Sequence, residues 1–289
     1  MLKFLMFFVF LQSCLESQFK QDRYTIKNTG GSVELSVMTF NILSSLDLGS
    51  QNKGYSVWKD RAPGVFALLN HIKADVVAIH ESTPAQIEEF RDRMGDAYTV
   101  IDFESYTSDA VILFDRKKFE LIERGYWPLE EILGEKGIYL RRVAVWASLR
   151  QPDTRREIFF VSLHLDNRAV KDEEVKKLRT YLQKQISTGA PVFVCGDFNL
   201  TPETTSFKYL NDRGLKDSYL PQILEPGETK KEPFTYSVLE PKSRIDHILY
   251  AGTDVTPLTW KVLPGGDKDR LPLSDHFPVL ARFRIHAHH

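Results

Sequence analysis

Pro191-Val192-Phe193-Val194-Cys195-Gly196-Asp197-Phe198-Asn199 runs from an unbroken apolar segment straight into a glycine, an acid and an amide. Its β-branched and aromatic residues predict a strand over Val192 to Cys195, with Cys195 a buried, inert thiol and with Asp197 and Asn199 delivered at the strand's end. Four more segments repeat the arrangement. Phe40-Asn41 closes the apolar run from Val33, His80-Glu81 closes Val76 to Ile79, and Leu163-His164 closes the run from Ile158. Ser274-Asp275-His276 stands just ahead of Val279 to Ile285. Singly, such residues serve as caps and turns. Together they supply carboxylates that hold a hard cation, amides that orient a ligand without adding charge, and imidazoles that pass protons near neutral pH. A divalent-metal site acting on phosphate needs those parts.

Outward from these segments the chain alternates strand-like runs with helical patterns. Strands are predicted over Val33 to Phe40, Val76 to Ile79, Ala110 to Phe114, Ala144 to Leu149, Ile158 to Leu163, Val192 to Cys195, Ile245 to Tyr250 and Val279 to Ile285. Helices fit Trp58 to Ile72, Pro84 to Met94 and Lys171 to Ile186, the last placing Val175, Leu178, Leu182 and Ile186 on one face. Pro84 suits a first helical turn. The class is therefore α/β. Leu220 to Pro233 reads as an exposed excursion near the site, and Gly125 to Gly137 as a loop that helps set substrate choice.

Composition frames the function. The 289 residues are 42% hydrophobic, without repeats or low-complexity stretches, which fits one large catalytic domain. Lys plus Arg number 38 against 39 Asp plus Glu, so no overall basic field marks the chain as a tight nucleic-acid binder. Lys3 followed by an apolar stretch too short to span a bilayer reads as a secretory signal over residues 1–17, with 18–32 a tether, 33–285 the catalytic domain and 286–289 a flexible tail. Leu11-Gln12-Ser13-Cys14 resembles a bacterial lipobox, which implies an exported protein, periplasmic or anchored in the cell envelope through Cys14 if the source is bacterial.

Thr39-Phe40-Asn41-Ile42, Glu81, Ser162-Leu163-His164-Leu165, Gly196-Asp197-Phe198-Asn199, Arg244-Ile245-Asp246-His247 and Ser274-Asp275-His276-Phe277-Pro278 resemble, in order and spacing, the endonuclease/exonuclease/phosphatase superfamily. The resemblance covers about Leu35 to Arg284. It implies a four-layer α/β sandwich of two packed, mixed and mostly antiparallel sheets flanked by helices, with the site at one edge where strand ends of both sheets meet. It also implies Glu81 as the principal Mg²⁺ or Mn²⁺ ligand, supported by Asn41 and Asp275. His276 would be general base or cationic stabiliser, oriented by Asp246. Asp197 and Asn199 would position the attacking water and the non-bridging oxygens, and His164 would donate to the phosphate or leaving group. Asp109 stands where relatives often carry a glutamate that holds this histidine, and Arg142, ahead of the strand Val143 to Leu149, is a candidate contact to substrate phosphate. His80 departs from the glutamine usual before the metal-binding glutamate. An imidazole there could charge and alter metal affinity or pH optimum.

The activity so implied is metal-dependent hydrolysis of a phosphoester by in-line attack of an activated water, carried out by a monomer. The substrate would be nucleic acid, a nucleotide or a phospholipid headgroup. Two other readings are a nonspecific nuclease with a local basic groove and a catalytically silent binding relative. Tyr98, Phe103, Tyr106, Tyr126 and Trp127 read mainly as core or rim rather than as stacking platforms. His286, His288 and His289 read as tail residues rather than ligands.

Overall fold

A computed structural model of the chain describes residues 31–46, 54–103, 109–134, 137–168, 170–212, 214–220, 233–265 and 272–287. The expected leader, tether and Cys14, most of Leu220 to Pro233, Tyr106, His288 and His289 lie outside them. Along the described chain come β1 (Val33–Asn41), α1 (Trp58–Ile72), β2 (Val76–His80), α2 (Pro84–Met94), β3 (Tyr98–Ile101), β4 (Ala110–Asp115), β5 (Glu120–Gly134), β6 (Gly137–Arg150) and β7 (Glu157–His164). Then follow α3 (Lys171–Ser187), β8 (Val192–Asp197), α4 (Thr205–Asn211), β9 (Lys216–Asp217), β10 (Asp246–Ala251), β11 (Val255–Val262) and β12 (Val279–Ile285).

The strands form two six-stranded sheets, ordered β11-β12-β1-β2-β4-β3 and β5-β6-β7-β8-β10-β9. Each sheet holds one parallel pair at its centre, β1 with β2 and β7 with β8, and its other pairings are antiparallel. Parallel neighbours need a crossover, which α1 and α3 provide. The two strands of each pair therefore end side by side. Asn41 is in register with His80, and His164 with Asp197.

Side-chain alternation builds the layers. Val37, Val76, Ala78 and Ile112 of the first sheet meet Val145, Phe160, Phe193 and Cys195 of the second in an inter-sheet core. The intervening residues Val161, Leu163, Val192 and Val194 face outward onto Val175, Leu178 and Leu182 of α3 and onto Phe207 and Leu210 of α4. Met38, Phe40, Val77 and Ile79 are likewise buried on the outer face of the first sheet. They lie beneath α1 and α2, whose Phe66 and Phe90 rings meet at 5.0 Å. The result is the four-layer α/β sandwich that the sequence resemblance implies.

Several local expectations are corrected. Most of Gly125 to Gly137 is not a loop but belongs to β5, paired with β6. Arg142 lies within β6 rather than ahead of a strand. β11 and the short β3, β9 and α4 were not expected at all. The physical reason is shared by β5 and β11: both are edge strands carrying an internal proline, Pro128 and Pro257, beside register shifts. An edge tolerates proline and bulges that erase the period-two pattern. Trp127 packs with Tyr181 and Phe159 on the α3 side of the sheet, and the buried Tyr98 donates to Ala74 O at 2.8 Å. His286 is tied by its backbone N–H to Asp254 O at 2.8 Å, with its ring 2.9 Å from Thr256 Oγ1.

Candidate active site

At the shared end of the two parallel pairs, Asp197 Oδ2 is a point of convergence. It accepts from Asn41 Nδ2 at 3.2 Å and lies 3.5 Å from both His164 Nε2 and His276 Nε2. Oδ1 of the same carboxylate accepts the Asn199 backbone N–H at 2.9 Å. Burial opposes ionisation of Asp197, but His276, His164 and the donors from Asn199 and Asn41 outweigh it and hold the pKa below the usual carboxylate range. The group at the centre of the site is thus an anion.

His276 is fixed from the other side by Asp246, whose Oδ2 lies 2.8 Å from His276 Nδ1. Both are buried. Burial alone would push the imidazole down, yet Asp246 and Asp197 overcome it and its pKa is raised well above the ordinary histidine value. It sits protonated between two carboxylates, which favours the cationic stabiliser among the roles expected of it. Asp246 is itself pushed up to about 6, chiefly by burial. Its Oδ1 is buried without a hydrogen-bond partner among the described residues.

Besides Asp197, His164 faces three groups. Its Nδ1 is 3.0 Å from Asp109 Oδ1 and 3.0 Å from Arg142 Nη1, while its Nε2 is 3.3 Å from Asn199 Nδ2. Arg142 and Asp109 also form an ion pair. The Asp109–His164 contact expected from sequence is present, and it is shared with a guanidinium from β6. Burial first, with the charges of Arg142 and His276, lowers the His164 pKa against the opposing pull of Asp197 and Glu81. His164 is therefore neutral. Asn199 Nδ2 donates to Leu165 O at 2.9 Å, and the Asn199 main-chain carbonyl accepts from Lys171 Nζ at 3.1 Å.

Glu81 follows β2 with φ +56, a left-handed conformation disfavoured for a side chain of its size. Asn199, just past β8, has φ +49. Non-glycine residues hold such geometry when the surroundings fix it, and such sites are often functional. Glu81 Oε1 accepts from Asn41 Nδ2 at 2.9 Å. Asn41 thus links the two carboxylates through its amide nitrogen, and its amide oxygen accepts from Leu43 N–H at 3.1 Å rather than facing the acids. Ser274 Oγ donates to Asn41 O at 2.7 Å and lies 3.2 Å from Oδ1 of the half-buried Asp275. His80 is buried, 3.3 Å from Ser162 Oγ across the inter-sheet space, and burial pulls it down to about 3. It stays neutral, so the charging that its imidazole invites does not occur.

Glu81, Asp197, Asp246 and Asp275 gather with no lysine or arginine hydrogen-bonded to any of them among the described residues. Ligand atoms of Asp197, Asp246 and His276 lie within 4.8 Å of one another. The imidazolium of His276 offsets charge on Asp197 and Asp246, and the hard oxygen donors of Glu81 and Asp275 beside them fit a divalent metal ion.

Sequence reading missed Arg61. Its guanidinium is only 1% exposed and donates to four main-chain carbonyls: Ile42 at 2.5 Å, Leu273 at 2.7 Å, Leu43 at 2.8 Å and Ser56 at 2.8 Å. It therefore ties the residue after Asn41 to the residue before Ser274-Asp275. Burial lowers its pKa to about 10, and it remains a cation. Its position in a helical pattern gave no sign, because the acceptors are backbone atoms remote in sequence.

Comparison with known proteins places these features in context. Residues 38–276 match the model of the Endonuclease/Exonuclease/phosphatase family. Among solved structures, a family protein from Bacteroides thetaiotaomicron is similar with a TM-score of 0.73 at 20% identity, over 89% of this chain and 99% of that one. The mannosyl-6-phosphatase of Bacteroides thetaiotaomicron VPI-5482 gives 0.70 at 20% identity, over 86% and 99%. D. rerio TDP2, complexed with single strand DNA product, gives 0.66 at 19% identity, over 86% and 98%. No curated protein matches the sequence.

Proposed function

The chain belongs to the Endonuclease/Exonuclease/phosphatase family, and from that membership and the site's geometry we propose that it is a divalent-metal-dependent hydrolase of phosphoester bonds. The observation that carries this reading is the ionised Asp197 carboxylate, set between one neutral and one protonated imidazole and joined to Glu81 through the Asn41 amide. Glu81 and Asp275 would hold Mg²⁺ or Mn²⁺, with Asn41 bracing Glu81. When bound, the ion would neutralise phosphoryl charge and polarise the P–O bonds.

The residues divide the remaining work. Asp197 Oδ2 accepts a hydrogen bond from the attacking water and aligns it, as an anionic acceptor fixed by two amide donors is suited to do. Protonated His276, kept in place by Asp246, meets the charge that grows on the non-bridging oxygens. Asn199, tied to Leu165 O and beside His164 Nε2, would fix the position of His164 against the phosphoryl group. His164 donates a hydrogen bond to substrate from Nε2 when Nδ1 accepts from Arg142, and Arg142 adds positive charge beside the phosphoryl group. The structural neighbours support a phosphoester substrate without selecting one: one is named a mannosyl-6-phosphatase and another was captured with a DNA product.

The test is hydrolysis by the purified protein of DNA, RNA, nucleotides, sugar phosphates, sphingomyelin and phosphoinositides, with Mg²⁺ and with EDTA, alongside Glu81→Gln. Turnover of one class that EDTA abolishes and Glu81→Gln reduces by about 100-fold or more is expected. A folded protein inactive across the panel, or activity indifferent to EDTA, would overturn the reading.

A further inference from the structure

The segment Thr235-Tyr236-Ser237 has no part in the mechanism above, yet it is clamped to both halves of the catalytic edge. Thr235 Oγ1 accepts the backbone N–H groups of Ile245 and Asp246, each at 3.0 Å, and Thr235 O accepts Phe277 N–H at 2.7 Å. Asp275 O accepts the N–H groups of Ser237 and Val238 at 2.8 and 3.1 Å. Tyr236 forms isolated bridges with His276 on one side and Ser243 on the other. Ser237 turns the chain at φ +64. The backbone that carries Tyr236 is thereby locked to the two residues that flank the reacting centre, Asp246 and His276.

The Tyr236 ring lies 4.9 Å from the His276 imidazole at an interplanar angle of 50°. Its side chain is half-buried, and its hydroxyl makes no hydrogen bond among the described residues. The phenols of Tyr98 and Tyr181, which brace the fold, donate instead to the carbonyls of Ala74 and Pro128. Burial and the charges of Asp275, Asp197 and Glu81 keep the Tyr236 phenol protonated. A rigidly held O–H that finds no acceptor among the described residues, lying among anions that disfavour any further negative charge on it, suits an acceptor-only oxygen brought in by a ligand.

On the hydrolase reading above, we propose that Tyr236 is a substrate-contacting residue whose phenol donates a hydrogen bond to a phosphoryl oxygen of the ester bound between Asp197 and His276. The contact adds a fixed neutral donor on the His276 side of the phosphoryl group, opposite Asn199 and His164.

Tyr236→Phe tests this, because it keeps the ring and its packing on His276 and removes only the hydroxyl. The probes are bis(p-nitrophenyl) phosphate and p-nitrophenyl phosphate for turnover and orthovanadate for binding, with Mg²⁺ affinity and thermal midpoint measured in parallel. A 10- to 100-fold fall in kcat/KM is expected, the size associated with a hydrogen bond to a charged acceptor, with a similar weakening of orthovanadate binding and with Mg²⁺ affinity and thermal midpoint unchanged. Wild-type turnover in Tyr236→Phe would overturn the proposal and leave the ring with a packing role, and failure of the variant to fold would assign the hydroxyl to structure. If the wild type hydrolyses neither ester, the hydrolase reading loses support and orthovanadate decides separately. Weaker binding by Tyr236→Phe sustains the contact; equal binding, or none by the wild type, overturns it.

Discussion

Two imidazoles lie 3.5 Å from the same Asp197 oxygen and hold opposite charge states because their outer nitrogens face different partners. His276 has a carboxylate behind it and is protonated; His164 has a carboxylate and a guanidinium and is neutral. Environment rather than residue type thus divides donor from stabiliser. Asp246→Asn should test the first arrangement. An amide can accept the Nδ1 hydrogen bond but cannot stabilise the imidazolium, and its NH₂ group would be buried where Asp246 Oδ1 already lacks a partner. The expected result is a kcat lowered by about 100- to 10,000-fold with Mg²⁺ affinity within a few-fold of wild type. Retained activity in a folded variant would mean that the pair merely braces the structure.

Elements set what single residues can do. Gly196 sits where β8 passes so near β7 that a Cβ would lie 2.0 Å from Leu163 O. Gly196→Ala must therefore part the parallel pair at the step before His164 and Asp197, and a loss of stability of about 2 kcal/mol or more by urea unfolding is expected, with activity falling too. A fully stable, active variant would refute the close approach. Arg61→Leu strips four carbonyls of their donor: Ser56 ahead of α1, Ile42 and Leu43 just after Asn41, and Leu273 just before Ser274-Asp275. Here the expectation is about 3–5 kcal/mol of lost stability and weaker Mg²⁺ binding measured calorimetrically, with Lys at the same position recovering only part. Unchanged metal affinity would confine Arg61 to folding. The eight apolar strands were legible in the sequence because burial on both faces makes them continuous runs. β5 and β11 were not, since edge prolines and bulges break the pattern. The convergence of Asn41, Glu81, Asp197 and His276 was readable from motif order. The roles of Arg61 and Tyr236 were hidden because each depends on long-range contacts with no local signature.

At the scale of the whole molecule, the two sheets share one plan: antiparallel flanks around a central parallel pair whose carboxyl ends deliver the chemistry. Joining them face to face puts the site on their common edge, and the helices laid on the outer faces bury polar groups that bare sheets would leave wet, as Phe207 of α4 does at 4.3 Å from the His247 ring. His247 is the clearest case. It lies 2.8 Å from Leu200 O through Nε2 and 3.1 Å from Arg244 Nη1 through Nδ1, and burial, the main cause, lowers its pKa from 6.5 to about 4. Above pH 6.5 the ring is neutral in both folded and unfolded chains, and the full stability is present. As pH falls from 6.5 toward 4 the unfolded chain takes up a proton that the folded one refuses, so stability is lost, by about 3 kcal/mol from this residue alone. Asp246, raised to about 6, acts in the opposite direction over part of this range, because its folded form binds a proton first. The contribution of His247 must therefore be read as a difference. His247→Gln can keep one donor and one acceptor but has no proton to gain. It should be less stable than wild type at pH 8, and the gap should narrow by about 3 kcal/mol between pH 6.5 and 4 in urea unfolding curves. Parallel pH profiles for the two proteins would show that His247 titrates alike folded and unfolded, and that the second sheet does not exclude its charge.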